Sequence, residues 1–338
     1  MKKIVGIIGA AAVLASSIFA ADVAARVKLG DDLFNSDKKV LTAPASTGWD
    51  VNNTFFKLSV NTDNAGASMN VTDEDANIKN LAVWFKPIDS LKITVGNNGI
   101  ESIANGTFAW WHKSARIEDK AGVRFEINAD ALTFNFLSFG DALLNLNNEG
   151  YAVLGNFWFD GRYNLGDAGN IQLFVTKGAD INAYGVGGWE QAGLAVGVAY
   201  NHMPWQQTGF YADAFVNLAD AKDFEGVGSQ IGGQYCADGL ALRLTNMIAY
   251  GTHYGAKDGD NYFFDYGFVA KASYAIDAYT PYVQVVGNEI MDKKCGLEIG
   301  LDTSFGACAF NIAFSTTLNF NEGSEFSFKV PMSFDVQF

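Results

Sequence analysis

The sequence predicts an all-β fold: a closed antiparallel transmembrane β-barrel, best counted at eighteen strands, with sixteen as the alternative. Three observations predict it. Apolar and polar residues alternate with period two in segment after segment, as in Val123, Phe125 and Ile127 against Arg124, Glu126 and Asn128. No segment carries a helical period. The connections between the alternating segments fall into two sets, one uniformly short and one containing every long loop, which is the barrel signature.

The chain opens with a basic pair, Lys2 and Lys3, then an apolar run from Ile4 to Ala15 and small residues to Ala21. This pattern reads as a secretory signal peptide over residues 1–20, cut after Ala20 or Ala21. Residues 21–338 then form one domain, since no shift in composition divides them. No later apolar stretch approaches the roughly 20 residues that a membrane helix needs.

Predicted strands run over 23–30, 55–62, 67–73, 78–86, 91–97, 121–129, 132–138, 151–164 and 170–177. They continue over 189–201, 208–218, 227–236, 240–250, 262–274, 279–287, 295–303, 308–320 and 326–338. Connections 63–66, 87–90, 130–131, 165–169, 202–207, 237–239, 275–278 and 304–307 are short. The other set holds 31–54, 98–120, 139–150, 178–188, 219–226 and 251–261, and 178–188 is long enough to hide a further strand. Trp84, Tyr163, Tyr200, Tyr250, Tyr262, Tyr274 and Tyr279 fall near strand ends, where aromatic girdles form.

Composition bounds the function. A formal net charge of −14 makes the chain a poor nucleic-acid ligand. Only 5 Pro occur, so few ladders are interrupted, and 14% aromatic residues with 36 Gly suit a barrel. Of the three cysteines, Cys295 and Cys308 flank the turn near Ser304–Gly306 in a register that puts Cys308 opposite residue 302, about seven residues from Cys295, beyond disulfide reach at about 3.3 Å per residue. The thiols read as unpaired, no spacing supports a metal, and no cofactor is implied.

The last thirteen residues, Phe326 to Phe338, alternate apolar Phe326, Phe328, Val330, Met332, Phe334, Val336 and Phe338 with Ser327, Lys329, Ser333 and Asp335. An amphipathic strand that stops at a terminal aromatic resembles the closing strand of bacterial outer-membrane β-barrels. With the leader and the sorted loops, the whole chain resembles an outer-membrane barrel of the porin type. The hairpin Phe55–Val71, turning at Asp63-Asn64-Ala65-Gly66, looks faintly like spirochaetal barrels. The resemblance implies location in the bacterial outer membrane, short periplasmic turns and long extracellular loops. Partners follow from it too: outer-membrane lipids, the barrel-assembly machinery reading Phe338 as its signal, and often a homotrimer.

A barrel of 16–18 strands is wide enough to hold water, so its inward face is expected to be polar. The alternation assigns to that face Lys57, Lys92, Arg124, Arg162, Arg243, Lys271 and Lys329 with Glu126, Asp160, Asp213, Asp265, Glu298, Asp302 and Asp335. Seven charges of each sign predict weak charge selectivity within, while loop carboxylates such as Asp73-Glu74-Asp75 enrich cations at the mouth. Residues 98–120 form the third external loop; by likeness to porins it is the candidate constriction, carrying Glu101, His112, Lys113, Arg116, Glu118 and Asp119. Trp84, Trp158 and Tyr211 also fall on predicted inward faces.

The function predicted is passive diffusion of small hydrophilic solutes and ions. A substrate-specific channel for sugars or hydrophobic solutes, and a surface adhesin, are the alternatives. Catalysis is disfavoured: His112, His202 and His253 lie in separate connections, and no Gly-x-Ser-x-Gly elbow occurs.

Overall fold

The computed structural model describes residues 21–337 apart from 38–39, 42–54, 73–77, 105–114, 141–143, 147–151, 179, 184–185, 190–192, 205–206, 220–222, 253–261, 288–292, 322 and 325. The strands are β1 (Ala21–Asn35), β2 (Val40–Leu41), β3 (Phe55–Asn61), β4 (Ala65–Thr72), β5 (Ile78–Ile88), β6 (Leu91–Glu101), β7 (Ala115–Ala129) and β8 (Leu132–Phe139). Next come β9 (Leu144–Leu146), β10 (Ala152–Leu154), β11 (Phe157–Asn164), β12 (Asn170–Lys177), β13 (Asp180–Ala183), β14 (Val186–Trp189), β15 (Leu194–His202) and β16 (Gly209–Ala219). The rest are β17 (Asp223–Ala237), β18 (Leu240–Thr252), β19 (Tyr262–Tyr274), β20 (Tyr279–Gly287), β21 (Lys294–Phe305), β22 (Cys308–Asn319) and β23 (Phe328–Gln337).

One antiparallel sheet holds all of these except β9 and β10, which pair with each other. Each predicted strand overlaps an observed one; 151–164 spans both β10 and β11, and 189–201 takes in the end of β14 with most of β15. Residues 178–188, which had room for a further strand, carry β13 and most of β14. The short β2 and β9 were not foreseen, nor was the break that separates β10 from β11. Tight turns need left-handed backbone, and residues that tolerate it supply it: Asp130, Asp238 and Asp277 have φ of 53°, 48° and 52°, and Gly306 has 60°.

Neighbouring strands pair in sequence order from β3 to β8, then through β11, β12 and β15 to β23. Strand β1 serves both ends: Ala21–Arg26 pairs with β3, and Arg26–Asn35 with β23. Across that second ladder the Arg26 guanidinium grips Asp335, its Nε donating to Oδ1 at 2.9 Å and Oδ2 at 3.1 Å while Nη2 donates to Oδ2. A two-pronged charged pair of partly exposed groups contributes roughly 1 kcal/mol. Asp335→Ala is therefore expected to lower the temperature at which the compact band converts to the slow one in heat-modifiable gel mobility. An unchanged transition would remove this pair from the seam's stability.

Antiparallel partners share a face, so the registers sort the side chains. One face carries exposed apolar residues, among them Val83, Phe125, Phe159, Leu173, Val198, Leu244 and Ile299. In water such a surface would aggregate, whereas in hydrocarbon it is solvated. Tyr163, Tyr250, Tyr274 and Tyr279 are exposed. Tyr200 lies against Phe210, with ring centroids 4.9 Å apart. The side chain of Tyr262 lies outside the described residues. Trp84 differs from the girdle expectation: it stands on the opposite, polar face, opposite Thr94.

Aromatic rings are set over glycines directly across the ladder. Phe174 covers Gly197, Phe215 covers Gly228, Tyr211 covers Gly232 and Tyr282 covers Gly300; in each case a Cβ on the glycine would collide with the ring. The glycine leaves backbone that only a flat ring can cover, which pins the register. All three cysteines are free. Cys308 faces Phe305 rather than residue 302, because the turn is centred at Gly306-Ala307, and Cys295 faces Leu318.

Candidate functional site

The charged residues are brought together by register. Lys92 faces Glu126, which faces Asn135, which faces Asp160. Arg162 faces Gln172, and the row continues through Ala199 to Asp213 and Gln230. Arg243 faces Lys271, then Gln284, Glu298, Ser315 and Lys329. Asp302 faces Asn311 and Ser333, two residues from Asp335. Lys57 faces Ala24, two residues from Arg26, and Asp265 faces Ala249, two residues from Met247. Arg124 faces Thr94, beside Lys92. All fourteen predicted lumen positions thus share one face, together with Trp84, Trp158 and Tyr211. The side chain of Asp265 lies outside the described residues.

The candidate constriction is shorter than expected and is built differently. Strands β6 and β7 run on to Glu101 and from Ala115, past a register shift between Asn98 and Ile100. Arg116, Glu118 and Asp119, expected in a loop, therefore sit on β7, and Glu101 faces Arg116. The strands extend because the ladder resumes past the bulge, with Ile100 opposite Ile117 and Glu101 opposite Arg116. His112 and Lys113 lie outside the described residues, as do His253, Phe338 and residues 1–20.

At the end of β6 the chain turns onto the polar face. Gly99 O accepts from Arg124 Nη1 at 3.2 Å. Glu101 O accepts from Arg162 Nη2 and Gln172 Nε2, each at 3.4 Å. Ile103 N donates to Gln172 Oε1 at 2.8 Å, and Ile103 O accepts from Asn201. Ser102 Oγ donates to Asp213 Oδ2 at 2.9 Å, and Ala104 is buried against Ala199 and Tyr211. Residues 99–104 thus bond in turn to β7, β11, β12, β15 and β16. Apolar packing fixes the hairpin tip: Ile100, Ala115 and Ile117 pack with Leu137, Phe139, Trp158, Phe174, Ala195 and Phe215. The Trp158 and Phe174 rings stack with centroids 5.0 Å apart.

Two carboxylates under this layer are satisfied in different ways. Asp160 is fully buried and accepts from Trp158 Nε1 at 2.7 Å, Asn135 Nδ2 at 2.9 Å and Arg162 Nε at 3.0 Å. Such saturation lets an anion stay in a low-dielectric place. Asp213 accepts from Ser102 and from the Gln230 backbone N at 3.1 Å. Sequence reasoning missed Ser102, Gln172, Asn135 and Asn201, uncharged residues whose roles depend on strands distant in the chain. Their signal is only their phase, on the same side as the charges.

A second element joins the layer. Asp180 and Ile181 of β13 pair with Arg116 and Ala115 of β7, β14 pairs with β13, and β14 lies alongside β18 and β19. Strand β7 on one side and β18–β19 on the other are thereby bridged.

No protein-family model matches the chain, and no curated protein does. Solved structures do. Pseudomonas aeruginosa OpdQ matches with TM-score 0.51 at 8% identity, over 94% of this chain and 97% of that one. P. aeruginosa OccK11 (OpdR) gives 0.51 at 10% identity over 94% and 95%, and Acinetobacter baumannii OccAB4 gives 0.50 at 10% over 94% and 97%. The fold is that of bacterial outer-membrane porins. At these identities the likeness concerns the fold alone, a large antiparallel sheet, and one face of that sheet is apolar and exposed, as suits contact with hydrocarbon.

Proposed function

We propose that the chain is an outer-membrane channel through which small hydrophilic solutes and ions diffuse, in a closed barrel of eighteen strands. One observation carries the reading: the registers gather fourteen ionisable positions on a single face while the other face is apolar. A sheet polar within and apolar without separates water from lipid, and eighteen strands leave room for that water. Pairing of β1 with both β3 and β23 supports closure, and the long strands in the pairing succession support the count. The same reading takes residues 1–20 as the signal peptide, Phe338 as the signal read by the assembly machinery, and a homotrimer as the assembled form.

Refolded protein in a planar bilayer is expected to give discrete single-channel steps. Silent protein with intact heat-modifiable mobility would overturn the channel while leaving the barrel. A substrate-specific channel is favoured by one observation, the segment 99–104 bonded across the polar face, which in a closed barrel would narrow the passage. Liposome swelling with a panel of sugars and amino acids distinguishes the two: rates that follow size alone support diffusion, and one solute far above its size class supports specificity.

A further inference from the structure

We infer that the solute path is eccentric, and that an anion-preferring station formed by Lys86, Lys92 and Lys57 around Trp84 sets its selectivity. This rests on the channel reading above. Burial of the polar face divides it into two sectors. From β8 to β19 much of it is closed off: Asn135, Trp158, Gln172, Thr176, Tyr211, Gln230, Thr245 and Val269 are all buried, while Arg162, Arg243 and Lys271 are partly exposed. The inner hairpin tip lies on this sector, and the bridge through β13 and β14 crosses it from β7 to β18–β19. From β20 through β23, and at Lys57, Trp84, Lys86 and Lys92 of β3, β5 and β6, described charged positions of the same face are accessible, although Tyr282 and Ala313 on it are buried. The side chains of Asp302 and Lys329 are 44% and 51% exposed there, against 0% for Asp160 as a residue and 4% for Asp213. Asp160 and Asp213 therefore brace the wall and do not meet solute.

Removing the sealed charges changes the balance that solute meets. On the accessible wall the acids have partners. Asp335 is gripped by Arg26, Asp302 accepts from Lys271 Nζ at 3.4 Å and from Asn311 Nδ2 at 2.7 Å, and Glu298 accepts from the Tyr282 hydroxyl at 2.7 Å. The lysines of β3, β5 and β6 differ. Lys86 and Lys92 bracket the Trp84 ring, with their amines 5.8 and 5.0 Å from its centroid. The indole Nε1 donates to Asn61 Oδ1 at 3.3 Å, which fixes the ring in place. Lys57 stands on the same face four residues along β3 from Asn61. Among the described residues, none of these three lysines has a carboxylate within ion-pair distance. Glu126, opposite Lys92, is bonded by Arg124 Nη2 at 3.1 Å. Uncompensated cations on a low-dielectric wall raise the local anion concentration.

The experiment is reversal potential in a planar bilayer under a potassium chloride gradient, using the full chain. Unsubstituted protein is expected to favour chloride. Lys86→Glu with Lys92→Glu is expected to reverse the sign of the potential, whereas Lys86→Arg with Lys92→Arg keeps it. Gel mobility confirms that each variant folds. Cation preference in the unsubstituted channel, or the same potential in the Glu pair, overturns the station. Absence of any conductance instead overturns the channel reading beneath it.

Discussion

Asp213→Ala is expected to give a larger and noisier channel than the unsubstituted protein. Its carboxylate is the anchor that β16 offers to the inner segment, through Ser102 Oγ at 2.9 Å, and it holds the Gln230 backbone N at 3.1 Å. A hydrogen bond to a buried charge contributes about 1.5–3 kcal/mol, so its loss raises the released population of the segment at least about tenfold. Ser102→Ala leaves Asp213 with its backbone donor and is expected to act in the same direction with a smaller step. The two substitutions share one bond, so the double variant should fall short of the sum of the singles. Single-channel recordings read this as the frequency of excursions to a higher conductance level. A trace that matches the unsubstituted channel would mean that the apolar cluster around Ile100 and Ile117 holds the segment without help.

Gly197→Val is expected to impair folding more than any surface substitution. A side chain at this position collides with the Phe174 ring directly opposite, and that ring is stacked on Trp158 beneath the inner hairpin. Over-packing of a dense core costs about 1–3 kcal/mol, and displacing Phe174 also loosens the floor on which Ile100 and Ile117 rest. The measure is the fraction reaching the compact gel form at a fixed temperature. Phe174→Ala in the same chain makes room for the valine, so the double variant should fold better than Gly197→Val alone. Equal yields from the two would place the damage in the β15 backbone instead of the ring.

Much of the sheet is legible in the sequence because alternation is a local property. Once the phase of Arg124 is known, its ladder partners Thr94 and Leu137 follow, and an error in one strand does not spread to the next. This is why Lys57 and Asp335, at opposite ends of the chain, both appear on the polar face. The inner layer is less legible. Residues 98–120 contain Gly99, Glu101, Arg116, Glu118 and Asp119, whose polarity reads as a loop, and the apolar Ile100, Ile103 and Ile117 among them fall in no strand-like period. What decides their place is an apolar hollow made by Leu137, Trp158, Phe174 and Phe215, contributed by β8, β11, β12 and β16. A hollow assembled from four strands leaves no pattern in any one of them. The glycine–aromatic pairs escape for a related reason: Gly197 and Phe174 are opposite in the ladder and far apart in the chain. The short β13 and β14 have too few residues for a period to register.

The double engagement of β1 bears on how the molecule comes into being. The Arg26–Asp335 bonds join residues 309 apart, and the ladder around them cannot form until the last strand has left the ribosome. Contacts of such separation make folding slow, since the whole intervening chain loses freedom before the closing bonds form. During that interval β1 exposes an unpaired edge along Val27–Asn35, the kind of edge that captures strands of other molecules. Productive folding therefore benefits from keeping the β1 edge apart from other copies until β23 pairs with it.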